Sequence, residues 1–288
     1  MRWLGDRESD NVEDRRNEGG GGGGMVVGGG IGTMVIALVV YLLGGDPSAV
    51  LNQTQTSSPS MPRARVEQQA DDQAARFTRV VLADTEDVWT KLFAQNNEQY
   101  RAPTLVMFRQ RTRSGCGIAA AESGPFYCPA DKKIYIDLSF YDELRQRFQA
   151  PGEFAMAYVI AHEVGHAIQD QWGILDKVHT AQARMSEVKG NRLSVRLELQ
   201  ADFLAGVWAR YYQETEGRLE QGDIEAAIRA AQQIGDDRIQ QQTQGYVQPE
   251  AFTHGSAAQR AYWFMKGYKT GDLNQGDTFN STEDERLQ

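Results

Sequence analysis

Ala161-His162-Glu163-Val164-Gly165-His166 lies inside Phe154 to Ile168, FAMAYVIAHEVGHAI, a run apolar enough to read as a buried helix. Residues four apart on a helix project from one face, so His162 and His166 can hold one ion between them. Glu163 stands beside the first of them, where it can reach a water on that ion and take its proton. Burying three such groups together is costly unless something satisfies them, and a zinc ion does so. The chain has only four histidines, the others being His179 and His254, so composition alone hardly accounts for the spacing H-E-x-x-H. The structural alternative is a core helix with two hydrogen-bonded histidines.

A catalytic zinc needs a third protein ligand and an open position for water. The stretch Leu193 to Gly206, LSVRLELQADFLAG, is a second helical run in which Glu198 and Asp202 share a face. Glu198 is the expected ligand. Asp202 is expected to accept the other N–H of a ligand histidine and so fix its ring. The alternative is a solvated acidic edge, but Leu197, Leu199, Ala201, Phe203 and Leu204 leave little polar face beyond the two acids.

The 288 residues, 41% hydrophobic and 24% charged, allow one ample globular domain with appendages. A net charge of -9 with no basic stripe argues against nucleic acid as a partner. Residues 1–24 are charged and then glycine-rich, and are expected to be disordered. Residues 25–45, MVVGGGIGTMVIALVVYLLGG, carry no charge; at about 1.5 Å per residue they are long enough for a bilayer core of about 30 Å. The flank after them lacks a clear cleavage site, so the segment reads as an uncleaved transmembrane helix rather than a signal peptide. Arg2, Arg7, Arg15 and Arg16 precede it, and no Lys or Arg follows until Arg63. By the positive-inside rule the N-terminus stays in the cytoplasm. The chain is then single-pass in the cytoplasmic membrane, with its large C-terminal part extracytoplasmic. Residues 46–64 read as a polar linker and residues 65–288 as the catalytic domain. The two cysteines, Cys116 and Cys128, fall in the exported part and are a plausible disulfide.

Within residues 65–288 the pattern is mostly helical with a small sheet, an α+β class. A helix is expected from Val66 to about Phe93, with a possible break near Asp84 to Glu86. Thr104–Phe108 and Lys133–Leu138 read as strands. The second, just before the zinc helix, is expected to form the edge along which an extended peptide lies. Ser139 can cap a short helix over 141–148, and further helices are expected to about Tyr212, over 223–234 and over 256–267. The connection holding His179 and the tail after Lys269 read as loops.

GCGIAAAESGPFYCPADKKIYIDLSF, YVIAHEVGHAIQDQWGI, NRLSVRLELQADFLAGVWA, GDIEAAIRAAQQIGDDRIQ and THGSAAQRAYWFMKGY resemble the bacterial predicted neutral zinc metallopeptidase family, from about Arg63 to Phe279. That family is similar to the gluzincins, whose H-E-x-x-H supplies two ligands and a downstream glutamate the third. The resemblance implies a zincin-like metallopeptidase domain. It makes His162, His166 and Glu198 the ligands, Glu163 the general base and Asp202 the ring-orienting acid. Many members carry cysteines where this chain has Phe203 and Gly276, which implies a second disulfide that is missing here and leaves the docking of the tail open.

The expected activity is zinc-dependent hydrolysis of a peptide or protein, with Zn2+ lowering the pKa of a water to about 7 and Glu163 as base. A second donor for the oxyanion is needed besides the metal. His254, just before a helix, is the candidate, with Tyr246 or Tyr262 as substitutes. Arg260 could bind substrate or a structural carboxylate, and His179 is expected to be solvated. Two other readings stay open. One is a zinc-stabilised, membrane-tethered binding or chaperone module without hydrolysis. The other is a hydrolase of a non-peptide cell-envelope amide. Oligomeric state is not legible.

Overall fold

Thr104–Phe108 and Lys133–Asp137, the two runs richest in strand formers, lie side by side and parallel at the centre of a four-stranded sheet. They do so in the computed structural model, which describes residues 1–18, 61–146, 152–283 and 287. In chain order the strands are β1 (Val12–Asp14), β2 (Thr104–Phe108), β3 (Arg111–Ser114), β4 (Gly117–Ala120), β5 (Phe126–Cys128) and β6 (Lys133–Asp137). The sheet runs β1-β2-β6-β5, with β1, β2 and β6 parallel and β5 antiparallel to β6. Both of its faces are covered, which is why β2 reads as a continuous apolar run rather than an alternating one. Leu105, Met107, Ile134 and Ile136 face the main core, while Val106, Phe108 and Tyr135 pack with Ala119 and Cys128 on the other side. That second side is closed by the β3–β4 hairpin, and the expected disulfide between Cys116 and Cys128 joins the hairpin to β5. The strand before the zinc helix is not an edge: β6 is interior, and β5 takes the edge beyond it.

The helices are α1 (Met61–Gln95), α2 (Phe140–Gln146), α3 (Glu153–Gln171), α4 (Ile174–Gln182), α5 (Glu187–Glu216), α6 (Asp223–Gln233), α7 (Asp236–Gln244) and α8 (Ala257–Thr270). Helix α1 runs through Asp84 to Glu86 without the expected break. The connection holding His179 contains α4, and α7 follows α6 where no helix was expected; both are short and polar enough to lack a clear period. Helix α3 is buried along nearly its whole length. Helices α5 and α8 cross at glycine contacts, since a Cβ on Gly206 would stand 2.0 Å from the Phe264 carbonyl oxygen and one on Gly267 2.0 Å from that of Phe203. The tail is docked on α5: the Phe203 ring lies against Gly276, and Thr278 Oγ1 donates to the Arg196 carbonyl at 2.6 Å. The two positions implied to form a second disulfide are therefore neighbours, and an aromatic contact holds the tail there instead.

Residues 1–18, expected to be disordered, belong to the same compact unit as Ala74–Gln288. Of the other unit, Gly20–Gln73, the described residues are the first turns of α1. Met1 and Trp3 are in the main core, and Val12, Glu13 and Asp14 pair with Leu105, Val106 and Met107. The arginines that gave the expected orientation serve this packing: Arg7 pairs with Glu86 and Asp87, and Arg2 donates to the Gly217 carbonyl. The expected transmembrane helix over 25–45 lies outside the described residues. Among the described residues no helix is long and apolar enough to cross a membrane. A single crossing between residues 18 and 61 would put β1 and β2 on opposite sides of the bilayer, yet they share a sheet. The single-pass topology, with a cytoplasmic N-terminus and an extracytoplasmic domain, fails on that pairing.

Candidate metal centre

Helix α3 carries His162, Glu163 and His166, and α5 carries Glu198 and Asp202. Gly165 sets the spacing between the helices, because a Cβ there would meet the Ala201 Cα and carbonyl oxygen at 3.1 Å. At this approach the Glu198 carboxylate lies between the two imidazoles. Its Oε2 is 3.1 Å from His162 Nε2 and its Oε1 is 3.4 Å from His166 Nε2. One donor atom from each of the three residues falls within 4.8 Å of the others. The imidazole rings stand perpendicular, 4.8 Å apart.

The other nitrogen of each ring faces an acceptor. His162 Nδ1 is 2.8 Å from Asp202 Oδ1, and His166 Nδ1 is 2.8 Å from Gln169 Oε1. Each Nδ1 therefore carries a proton, and each Nε2 faces the anionic Glu198 carboxylate. Neutral rings would set two lone pairs against that carboxylate, so positive charge is required between them, from protons or from a cation. Burial opposes charge on His162, but Asp202 and then Glu198 outweigh it and push the imidazole up to about 10. Burial also opposes charge on Glu198, yet His166 and His162 hold it well below the carboxylate range. Two imidazoles and one carboxylate are a donor set that zinc accepts with a position left open. The residues fit the ion.

Asp202 is fully buried and receives more than the expected histidine. Tyr158 Oη donates to Oδ1 at 2.5 Å, and Arg260 donates through Nε to Oδ2 at 2.8 Å and through Nη2 to Oδ1 at 3.1 Å. Burial raises the cost of its charge, and Arg260 with His162 more than offsets that, so Asp202 stays ionised. Of the two uses open to Arg260, the structural carboxylate is the one observed. Tyr158, one helical turn before His162, was not singled out in the sequence; its place in an apolar run was the only signal.

Glu163 is buried, 6% exposed, and among the described residues its carboxylate receives no hydrogen bond or ion pair. His254 is half-exposed. Its Nδ1 lies 3.2 Å from Asp236 Oδ1, and Asp236 Oδ2 also accepts the backbone N–H groups of Thr253, His254 and Gly255. The adjoining Gly255, at φ +94, packs near Val195 and Leu199 of α5, the one three residues before Glu198 and the other next to it. The Asp236 hydrogen bond raises the His254 pKa, and the charge of Glu198 adds to the rise. Nothing local in the sequence pairs position 236 with position 254. Tyr262 is committed to Glu283 at 2.7 Å, Tyr246 is exposed on the loop after α7, and His179 is exposed on α4.

The chain is 47% identical over 297 residues to "Uncharacterized protein YpfJ" of Escherichia coli (strain K12), with 98% of this chain and 100% of the relative covered. It is 41% identical over 261 residues to "Uncharacterized protein Rv2575" of Mycobacterium tuberculosis (strain ATCC 25618 / H37Rv), covering 84% of this chain and 85% of the relative. No solved structure matches. The family model described as "Putative neutral zinc metallopeptidase" matches residues 1–279, and the chain belongs to that family.

Proposed function

We propose that the protein is a zinc-dependent peptidase in which His162, His166 and Glu198 hold the ion and Glu163 is the general base. The observation that carries this reading is Glu163 itself. It is a buried carboxylate one residue from a ligand, uncommitted to any partner among the described residues. A site built only to hold a metal has no use for it. When bound, zinc lowers the pKa of a water and polarises a carbonyl. Glu163 takes a proton from the attacking water and returns it to the leaving amine. Asp202, itself fixed by Arg260 and Tyr158, holds the His162 ring so that Nε2 faces the ion. His254, oriented by Asp236, whose charge favours the imidazolium, supplies a hydrogen bond to the developing oxyanion. An extended peptide is taken up along the outer edge of β5, which is tied to the zinc helix by Tyr127 Oη donating to Asp170 at 2.6 Å.

Glu163→Gln tests the reading. The variant is expected to keep stoichiometric zinc and to lose at least about 100-fold in kcat/KM on a peptide library. Zinc-loaded wild type that cleaves no member of the library, or a variant as active as wild type, sinks the peptidase assignment. The first result favours a metal-stabilised binding module or a different amide substrate.

A further inference from the structure

His162 and His166 are oriented by different chemistry. His162 meets a carboxylate. His166 meets Gln169, a neutral amide that could face the ring with either end. What decides which end is the set of buried acceptors on the far side of the amide. Gln169 Nε2 is 2.7 Å from the Leu197 carbonyl oxygen and 3.1 Å from Gln200 Oε1. Gln200 Nε2 is 3.0 Å from the Gly276 carbonyl oxygen. Backbone carbonyls can only accept, so the Gly276 carbonyl forces the Gln200 amide to turn its nitrogen outward and its oxygen toward Gln169. Gln169 then has two acceptors at its nitrogen, and its oxygen must face His166. His166 Nδ1 must donate, and Nε2 keeps the lone pair.

We propose that Gln169 and Gln200 are positioning residues. They form an amide relay that holds His166 in its metal-binding tautomer: the Leu197 carbonyl fixes Gln169 directly, and Gln200, itself fixed by the Gly276 carbonyl, adds a second acceptor. The proposal rests on the reading of His162, His166 and Glu198 as a zinc site, and not on the hydrolysis assigned to it. Both amides are buried, Gln169 fully and Gln200 with 8% exposed. The terminal carbonyl is itself held in place, since the Phe203 ring packs on Gly276 and Thr278 bonds to the Arg196 carbonyl. The link reaches from residue 166 to residue 276 through three hydrogen bonds, and it ends in a segment that also walls an apolar cavity of about 480 Å3 with Ile174, Val178, Leu193 and Phe279. Gln200 lines the same cavity, so a leucine there removes the hydrogen bonds without overpacking.

The test measures zinc affinity of the full chain by competition with a chromophoric chelator, alongside imidazole 15N–1H correlation spectra. Gln169→Leu is expected to weaken zinc binding by about 10–100-fold. In zinc-loaded Gln169→Leu the His166 Nδ1–H signal is expected to lose its hydrogen-bonded shift, while that of His162 keeps it. Gln200→Leu leaves Gln169 in place and is expected to weaken binding by a smaller factor. Wild-type affinity in Gln169→Leu or in Gln200→Leu overturns the relay. A His166 Nδ1–H signal unmoved in Gln169→Leu also overturns it, since packing and not an acceptor would then be at stake. If the variants fail to fold, the zinc-loaded wild type decides: His166 bound through Nε2 with Nδ1 protonated supports the relay, and the reverse tautomer overturns it. Zinc bound without peptide cleavage sinks the proposed activity and leaves the relay standing. Cleavage with unaltered zinc affinity in the variants sinks the relay alone.

Discussion

At the scale of single residues, the centre is a set of rings and acids whose charge states are mutually imposed. Asp236 raises His254 by a hydrogen bond, so His254 is cationic to a higher pH than an ordinary histidine. If His254 donates to the oxyanion, activity falls at alkaline pH as it loses its proton. Asp236→Asn removes the anion that favours the cation. The alkaline limb of kcat/KM against pH is then expected to move to lower pH, and an unmoved limb would remove His254 from the mechanism. H-E-x-x-H and the pair Glu198 and Asp202 were legible in the sequence because helix periodicity alone puts each pair on one face. Tyr158, Gln169, Gln200 and Asp236 were not, because an amide, a phenol or a carboxylate shows its role only once its partner is in place.

At the scale of elements, α5 is the organising helix, touching α3 through Gly165 and α8 through Gly206 and Gly267. Gly206→Ala would drive a methyl into the Phe264 carbonyl, and is expected to cost about 3 kcal/mol or more in denaturant unfolding. A loss below about 1 kcal/mol would mean that the helices can separate without penalty. Helix α1 holds a different kind of strain. Burial, with Asp87 and Glu216 nearby, raises Asp84 to about 8, and its Oδ2 has no hydrogen-bond partner among the described residues. A raised carboxyl contributes stability that is fully present below the ordinary value near about 4 and is lost as pH climbs through the folded value. Asp84→Asn is therefore expected to gain on wild type between pH 5 and pH 8, by at most about 1.4 kcal/mol per pH unit. Thermal melts at the two pH values measure it, and a constant difference would show that Asp84 is ionised in the fold. The long helices were legible from their period, whereas α4, α7 and the β3–β4 hairpin were too short and polar to stand out.

At the scale of the whole molecule, residues 1–18 are part of the domain. Trp3 packs edge-on to Phe77, and its Nε1 donates to Glu153 at the start of the zinc helix at 2.7 Å. Trp3→Ala is expected to cost about 3–5 kcal/mol in chemical unfolding. A neutral result would mean that the N-terminal segment does not pack on α1 and α3 in solution. The apolar run at 25–45 and the arginines before it read, in order along the chain, as a membrane span with a free tail ahead of it. The first residues are not a tail, and strand pairing at a separation of some ninety residues leaves no local trace.

The sequence by itself determined the chemistry of the centre: which residues can bind a cation, which acid sits beside them, and which cysteines can join. Those follow from side-chain type and from a repeat that a helix imposes on its neighbours in the chain. Only the tertiary structure decided that Asp202 answers to Arg260 and Tyr158, that Gln169 answers through Gln200 to Gly276, and that β1 closes the sheet. Each of these is a contact between segments far apart in the chain, and its energy comes from burying matched donors and acceptors together, which no stretch of sequence does alone.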